Sequence, residues 1–213
     1  VLRPCGDGLA GWAIDGNLTA GLAQIANTLR RAGLAGAWRD EQLAVNDEAG
    51  ARLGTVERGA ARPLGIGTLA VHLVGQAPDG RFWIQQRAFD KANDPGLLDT
   101  LMGGMVSAAD TVDTALVRET WEEAGLHTAD LLQLRAGGRV RTDRPSTDGA
   151  GGYVREAIDW YCCTVPDALT PVNQDGEVAR FLRMKRTEVR AAMLRGEFTT
   201  EAALILADAM GLG

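Results

Sequence analysis

One segment constrains the fold of this chain more than any other: residues 104–126, which read GMVSAADTVDTALVRETWEEAGL. Its apolar spacing predicts an α-helix over 111–125. Because a helix turns by about 100° per residue, Glu119, Glu122 and Glu123 fall on one face. The opposite face carries a mainly apolar set: Leu116, Val117, Thr120, Trp121 and Ala124. The chain is therefore expected to bury one side of this helix and to present concentrated negative charge on the other.

Such a cluster of glutamates is costly. Like charges three and four residues apart repel by a few tenths of a kcal/mol per pair, and the dipole at the helix C-terminus opposes them too. Arg118 precedes Glu122 by four residues and can neutralise one carboxylate. Glu119 and Glu123 then remain to bind a hard divalent cation, since Mg²⁺ or Mn²⁺ takes one or two carboxylates plus waters and substrate phosphate oxygens. A solvated acidic face is the alternative interpretation.

The chain before residue 60 has the pattern of a small unit. A helix is expected at 19–33, followed by two strands at 42–46 and 52–56 that are joined by a turn. We therefore expect a small α+β N-terminal domain over 1–60.

The remainder alternates strands and helices, which favours an α/β architecture over a helical bundle or a sandwich of strands. The expected strands are 68–75, 82–87, 131–140, 153–165 and 177–184, and the expected helices are 111–125, 187–195 and 200–210. The Gly-, Asp- and Arg-rich stretch 141–152 is expected to be a loop. One main domain is expected over 61–213.

Composition excludes several partners. A net charge of -6 with scattered arginines argues against nucleic acid, and no apolar run approaches the ~18 residues of a membrane-spanning helix. The three cysteines Cys5, Cys162 and Cys163 contain no C-x-x-C pair, so neither a disulfide framework nor structural zinc is expected. Residues 1–11 lack the features of a signal peptide, so a reducing, cytoplasmic location is expected.

Scarce residues exclude several reaction classes. Ser107 and Ser146 are the only serines, and neither lies in a G-x-S-x-G setting. The two histidines, His72 and His127, cannot form an H-E-x-x-H zinc site, and His72 is expected to be packed within a strand. No phosphate-binding G-x-x-x-x-G-K-[ST] loop is present.

The segment 104–126 resembles the Nudix box, G-x5-E-x7-R-E-U-x-E-E-x-G-U, where U is a bulky aliphatic residue. The residues that match in register are Gly104, Arg118, Glu119, Glu122, Glu123, Gly125 and Leu126. Asp110 stands where the box has its first Glu, from which we expect weaker anchoring between helix and loop, and Thr120 replaces an aliphatic residue. The resemblance implies a Nudix-like α/β/α sandwich with a mixed sheet, and a metal-dependent hydrolase of diphosphate linkages.

The resemblance also implies roles for individual residues. The proposed metal ligands for Mg²⁺ or Mn²⁺ are Glu119, Glu123 and the carbonyl of Gly104, and the catalytic residues are Glu122, Arg118 and Glu177. Glu177 would be a general base or an extra ligand, with Glu156 as the second candidate. Arg87 and Glu156 are the expected contacts to substrate.

Runs outside the box resemble the Nudix branch related to thiamin pyrophosphokinase, in which a small N-terminal domain precedes the Nudix domain. They are 38–41, 67–75, 95–99, 173–178 and 195–198. This branch implies thiamin diphosphate, or its oxidised or analogue forms, as a substrate that is cut to the monophosphate. Trp83, Trp121 and Trp160 are candidates to stack on its ring, although core packing is the ordinary place for each.

Two alternatives stay open. The first is a Nudix pyrophosphatase of nucleoside diphosphate sugars or dinucleotides, because the box specifies the reaction and not the leaving group. The second is a ligand-binding regulator without catalysis. The expected partner is a small-molecule diphosphate, and the expected assembly is a monomer or a homodimer.

Overall fold

We describe the protein from a computed structural model, in which residues 2–5, 11–146 and 151–212 are described. The chain divides into two compact units. The first comprises Val1–Thr68, Ser107–Ala109 and Asp143–Arg155, and the second comprises Leu69–Val106, Asp110–Thr142 and Glu156–Gly213. The domain boundary expected after residue 60 stays a prediction.

The described part of the first unit contains two helices and two small sheets. Its elements are β1 (Leu2–Pro4), β2 (Trp12–Ile14), α1 (Leu18–Arg31), β3 (Gln42–Asn46), β4 (Arg52–Glu57) and α2 (Arg58–Ala61). The predicted helix and the predicted β3–β4 hairpin are confirmed. Asn17 starts α1 by accepting a hydrogen bond from the backbone N–H of Ala20 at 2.9 Å. Sequence patterns missed β1, β2 and α2, because elements of three or four residues are too short to show a period.

The second unit contains three helices and most of a seven-stranded sheet, whose strand ends at residues 68, 143–145 and 153–155 are assigned to the first unit. Its strands are β5 (Thr68–Gln76), β6 (Phe82–Arg87), β7 (Leu98–Asp99), β8 (Met102–Met105), β9 (Leu132–Pro145), β10 (Tyr153–Thr164) and β11 (Val178–Met184). Its helices are α3 (Val112–Ala124), α4 (Arg186–Leu194) and α5 (Thr200–Ala209). The strand order is β11-β6-β5-β10-β9, with β7 paired to β6 and β8 paired to β5. Every expected strand and helix of this region is present, with small differences at the ends.

Helices cover both faces of the sheet. Along β5, Ala70 and Val74 join the cluster that contains Ile205 of α5, while Val71 and Leu73 join the cluster that contains α3 residues. This alternation is the period of two that a strand imposes on its side chains. The layers are therefore helix, sheet and helix, and α3 lies on the face toward which odd-numbered residues of β5 point.

The stretch 141–152 differs from the expected loop. Strand β9 continues to Pro145 and β10 begins at Tyr153, and the backbone N–H of Ser146 donates to the carbonyl of Gly152 at 2.9 Å. Pairing between the two long strands overrides the weak strand propensity of the Gly- and Asp-rich segment. Residues 147–150 of the expected loop lie outside the described residues.

Cys162, Cys163 and His72 are all at least partly buried in the second unit. Cys163 is buried in the cluster around α3, and Cys162 is only partly buried. His72 is buried, as expected, with Nδ1 2.9 Å from the hydroxyl of Thr100. Within the described ranges, no helix combines the length and the apolar character needed to cross a membrane.

Candidate active site

Helix α3 is delimited by its own residues. The hydroxyl of Thr111 accepts from the backbone N–H of Thr114, and the hydroxyl of Thr114 accepts from the backbone N–H of Thr111, which forms a capping box. At the other end Gly125 adopts a left-handed conformation with φ +62°, which a side chain disfavours. The local sequence therefore sets both ends of the helix that carries the glutamates.

The buried face of α3 is rotated from the one predicted. Leu116, Thr120 and Ala124 are buried as expected, whereas Val117 and Trp121 are 53% and 44% exposed. The assignment of Trp121 to the core is therefore wrong, and its ring instead stacks on His127 with centroids 4.5 Å apart. Trp83 and Trp160 are both buried in core clusters.

Glu123 accounts for the rotation, because it points inward and is only 3% exposed. Its Oε2 accepts hydrogen bonds from the backbone N–H of Gly103 at 2.9 Å and from Nε2 of Gln85 at 3.0 Å. Burial raises the pKa of Glu123 to about 8, although the Gly103 hydrogen bond and the charge of Lys91 act in the opposite direction. The predicted acidic face is thus partly turned into the protein, where a cation would relieve a strong electrostatic cost.

Two glycines let the chain pass close to these groups. A Cβ on Gly104 would lie 2.2 Å from the carboxylate carbon of Glu119, so only glycine permits this approach. A Cβ on Gly103 would lie 2.3 Å from the ring of His72. Gly103 and Gly104 belong to β8 of the sheet, and their lack of side chains leaves room for the ring of His72 and for the carboxylate of Glu119.

Arg118 binds more carboxylates than the single one predicted. Its Nη1 donates to Glu119 and to Glu122, both at 2.9 Å, and its Nε and Nη2 donate to Oδ2 of Asp110 at 3.1 and 2.8 Å. The shorter Asp110 thus still reaches Arg118, so the expected weakening of the anchor between helix and loop is not seen. The planar guanidinium fixes these three side chains relative to one another.

Glu177 lies on a loop that is fastened to the end of α3. The backbone N–H groups of Val172 and Gln174 donate to the carbonyls of Ala124 and Glu122 at 2.8 and 3.0 Å. These carbonyls have no partner within the helix, so the loop satisfies them. A Cβ on Gly125 would lie 2.5 Å from the carbonyl oxygen of Val172, so the last glycine of the box makes room for the loop.

The side chain of Glu177 forms an ion pair with Nζ of Lys91. The backbone carbonyl of Glu177 accepts a hydrogen bond from the backbone N–H of Ala88 at 2.9 Å. The segment after β6 is thereby joined to the Glu177 loop. The side chain of Lys91 is largely buried, while the side chain of Glu177 is 41% exposed.

The two expected substrate contacts lie on strands β6 and β10 and not on α3. Arg87 is largely buried, with Nη1 3.4 Å from Asp99 and Nη2 donating to the carbonyl of Asn93 at 3.1 Å, so it is not a solvated arginine. Glu156 is buried on β10. The structure therefore gathers Gly104, Arg118 and the three glutamates of α3, and links Glu177 to that helix through backbone contacts.

Sequence reasoning missed Gln85, Lys91 and Asp99. Gln85 is a polar residue at a buried position of an apolar strand, and this break in the pattern is a signal that the sequence does contain. Lys91 is one of only two lysines. Asp99 lies in the resembling run 95–99, but the local pattern does not predict its burial, which depends on β7 and on its contacts with Arg87 and Thr199.

The donor set fits a hard divalent cation. Across residues 2–5, 11–146 and 151–212, no three His, Cys, Asp or Glu side chains form a preassembled metal cluster. Mg²⁺ needs few protein ligands, however, because it retains several waters and takes oxygen from the substrate. Glu119, Glu123 and the backbone at Gly104 supply hard oxygen atoms in one place, and the Gly104 contact would be blocked by any side chain.

The helix–sheet–helix fold and the box helix define a class of protein, and comparison with known families agrees. The model of the NUDIX domain family matches residues 67–206, so the chain belongs to the NUDIX domain family. The expected Nudix-like α/β fold with a mixed sheet is confirmed.

Two curated relatives are similar to this chain. Nudix hydrolase 20, chloroplastic, of Arabidopsis thaliana is 30% identical over 166 residues, which cover 72% of this chain and 41% of the relative. Nudix hydrolase 24, chloroplastic, of the same plant is 30% identical over 168 residues, which cover 72% of this chain and 42% of the relative. The chain thus spans about two fifths of the length of these relatives.

Solved structures show the same fold at low identity. DR0079 from Deinococcus radiodurans aligns with a TM-score of 0.63 and 20% identity, covering 78% of this chain and 97% of that chain. The NUDIX domain of Shewanella oneidensis NrtR, solved as a complex with ADP ribose, aligns with a TM-score of 0.51 and 15% identity, covering 68% and 89%.

Proposed function

We propose that this chain is a Nudix pyrophosphohydrolase that cleaves a diphosphate linkage in a small molecule with the help of Mg²⁺ or Mn²⁺. The observation that carries the proposal is the close approach of the Gly104 backbone to the carboxylate of Glu119, next to the buried carboxylate of Glu123. A bound divalent ion would neutralise the diphosphate and the charge that develops on it during hydrolysis.

The residues of α3 take separate roles in this proposal. Glu119, Glu123 and the carbonyl oxygen of Gly104 would hold the ion. Arg118 donates to Glu119 and Glu122 at once, so it orients both carboxylates and would hold Glu122 near a bound ion. Binding of the ion would give a function to a cluster of like charges that otherwise destabilises the helix.

Glu177 is the proposed general base. A water attacks one phosphorus and gives its proton to the Glu177 carboxylate, and the bond from that phosphorus to the bridging oxygen breaks, so the bridging oxygen leaves with the other product. The backbone contacts from Val172 and Gln174 to the end of α3 support this role, because they tie the Glu177 loop to the helix of the proposed ligands. Glu156 is the second candidate for the base.

Contacts to the substrate are proposed for Arg87 and Glu156, as the sequence suggested. Arg87 contacts Asp99, so it would bind a phosphate only through the guanidinium edge that this carboxylate does not occupy. Glu156 would act through a hydroxyl of the substrate or through the ion, since a carboxylate repels phosphate.

The proposed substrate is thiamin diphosphate or an oxidised or analogue form, cut to the monophosphate. Its support is the resemblance of five runs outside the box to the branch related to thiamin pyrophosphokinase. Burial of Trp83 and Trp160 removes them as ring contacts, and Trp121 is already stacked on His127. A nucleoside diphosphate derivative is the second candidate, and the ADP ribose complex of the Shewanella NUDIX domain makes it worth testing.

The charge of -6 supports a small-molecule partner over nucleic acid, and the cysteines without a C-x-x-C pair support the cytoplasm as the compartment. A monomer or a homodimer stays the proposed assembly.

The test is product release from a panel of diphosphates with Mg²⁺ or Mn²⁺, followed by chromatography and mass spectrometry. The panel contains thiamin diphosphate, oxythiamin diphosphate, ADP ribose, an NDP-sugar and a dinucleotide. Turnover that requires the metal and is lost in Glu123→Gln supports the proposal. Binding of a panel member without any turnover would instead support a ligand-binding regulator.

A further inference from the structure

The side chain of Gln85 is buried directly beneath the glutamates of α3. On β6, Phe82 and Ile84 join the cluster on the α4 and α5 side of the sheet, while Trp83 joins the cluster on the α3 side. Gln85 follows the same alternation, points toward α3 and is only 1% exposed. A glutamine in this position is unusual, because buried strand positions are ordinarily apolar.

The amide group of Gln85 has one satisfied end and one unsatisfied end. Nε2 donates to Oε2 of Glu123 at 3.0 Å, which is the direction that the ionised carboxylate of a metal ligand requires. The other end, Oε1, is buried and has no hydrogen-bond partner among the described residues. A buried acceptor without a partner is costly, so this oxygen is expected to meet a donor that a ligand brings.

Both protein donors to Glu123 converge on a single oxygen. The backbone N–H of Gly103 contacts Oε2 at 2.9 Å, the same atom that Gln85 contacts. These two hydrogen bonds set the rotation of the carboxylate and leave Oε1 of Glu123 for other contacts.

We propose that Gln85 is a positioning residue of the metal site. Its NH₂ group holds Glu123 in the orientation that offers Oε1 to the ion, and its own Oε1 accepts a hydrogen bond from a water bound to the ion. The proposal rests on the proposed function, because it requires that Glu123 is a metal ligand. Mg²⁺ keeps several of its waters when it binds to proteins, so a buried acceptor beside a ligand carboxylate matches its chemistry. Groups that orient metal ligands in this way typically change metal affinity 10- to 100-fold when they are removed.

The adjacent Gln86 provides a matched control. It lies on the same strand and points to the opposite face, where its Nε2 donates to the carbonyl of Gly96 at 2.9 Å and its Oε1 accepts from Arg180 at 2.7 Å. Gln85→Leu and Gln86→Leu thus remove the same group one residue apart, and only Gln85 contacts Glu123.

The experiment measures Mn²⁺ binding to the full chain without substrate, by the loss of the electron paramagnetic resonance signal of free Mn²⁺. We expect Gln85→Leu to weaken Mn²⁺ binding about 10- to 100-fold, while Gln86→Leu binds Mn²⁺ like the wild type. Gln85→Met, which keeps the length and flexibility of the side chain, serves as a second variant if the leucine variant does not fold. Circular dichroism of each variant in EDTA checks that the fold is retained.

Equal Mn²⁺ affinity in Gln85→Leu or Gln85→Met and the wild type would overturn the proposal, as would an equal loss in Gln86→Leu. Failure of the proposed function gives a different result. If the wild type takes up no Mn²⁺, or if Glu123→Gln binds Mn²⁺ as tightly as the wild type, the metal role of Glu123 is wrong and the inference fails with it.

Discussion

The Cα atom of Gly104 lies against the carboxylate of Glu119, so closely that a Cβ would be 2.2 Å from its carboxylate carbon. The two residues belong to different elements, β8 and α3, which contact each other in the second unit. This close approach depends on the absence of a side chain at residue 104, and it supports the proposal that Gly104 and Glu119 supply oxygen ligands to one ion.

Gly104→Ala is expected to displace Glu119 and to reduce kcat/KM at least about 100-fold, a loss of roughly 2.7 kcal/mol in transition-state stabilisation. The added methyl group has no free volume, so the carboxylate must move. The measurement is steady-state hydrolysis of the best panel substrate over a range of Mn²⁺ concentrations. Gly67→Ala is the control, because a Cβ there would meet nothing closer than 3.9 Å. Wild-type kinetics in Gly104→Ala would contradict the assigned ligand set.

Arg118→Met is expected to release Glu122 and to lower kcat more than it raises KM. The substitution leaves Asp110, Glu119 and Glu122 without the cation that each contacts, so repulsion separates them. Arg118→Lys should rescue little, because an ammonium group lacks the planar fork that reaches all three carboxylates. Arg139→Met, which breaks the pair with Asp159, is the matched control and should keep full activity. Full rescue by lysine would show that charge alone suffices.

Gly125→Ala is expected to loosen the Glu177 loop. Two effects combine: the left-handed φ of +62° strains any side chain, and the new Cβ would be 2.5 Å from the carbonyl of Val172. Gly211 also has φ +62° but has open space around its Cα, so Gly211→Ala reports the backbone strain alone. We expect about 1 kcal/mol of destabilisation in Gly211→Ala, measured by urea unfolding, and clearly more in Gly125→Ala. A fall in kcat is expected only in Gly125→Ala. Equal kinetics in the two variants would contradict a role of the Glu177 loop in catalysis.

The stability of the metal-free protein should decrease as the pH rises from about 4.5 to about 8. Burial raises the pKa of Glu123 to about 8, so the folded state binds a proton in this window that the unfolded state has already lost. The contribution of Glu123 is therefore complete below pH 4.5 and is lost as the pH passes 8. Urea unfolding in EDTA at several pH values tests this expectation.

In the same experiment, Glu123→Gln should flatten the dependence and stabilise the metal-free protein at pH 8 and above by a few kcal/mol. Added Mn²⁺ should restore the stability of the wild type at high pH and not that of the variant. A metal-free wild type that is most stable at pH 9 would contradict the buried, protonated state of Glu123.

Lys91→Met is expected to lower activity about 10-fold without unfolding the protein. The substitution removes the ion pair with Glu177 and a positive charge that acts on Glu123. Because Glu177 is 41% exposed, water can replace the lysine, so little stability should be lost. Lys185→Met, at the other lysine, is the control, and the measurements are kcat, KM and thermal unfolding. Unchanged kinetics in Lys91→Met would show that the ion pair between Lys91 and Glu177 does not contribute to catalysis.

Much of the fold was predictable because it is encoded locally. Helix α1, the β3–β4 hairpin and α3 have periodic apolar patterns with capping or turn residues at their ends, and these patterns involve neighbours only a few positions apart. The missed elements β1, β2, α2, β7 and β8 are too short for such patterns. The extension of β9 to Pro145 was missed because it depends on pairing with β10, which local composition does not report.

The sequence by itself determined that one helix, expected over 111–125, carries Arg118, Glu119, Glu122 and Glu123 in the register of the Nudix box, and this is enough to assign the Nudix class. Only the tertiary structure decided which side of that helix is buried. Apolar periodicity favoured the side with Trp121, but the N–H groups of Gly103 and Gln85 drew Glu123 inward instead. Hydrogen-bond donors from strands about 20 to 40 residues away in the chain outweigh a local pattern, because a buried carboxylate must be satisfied wherever its donors lie.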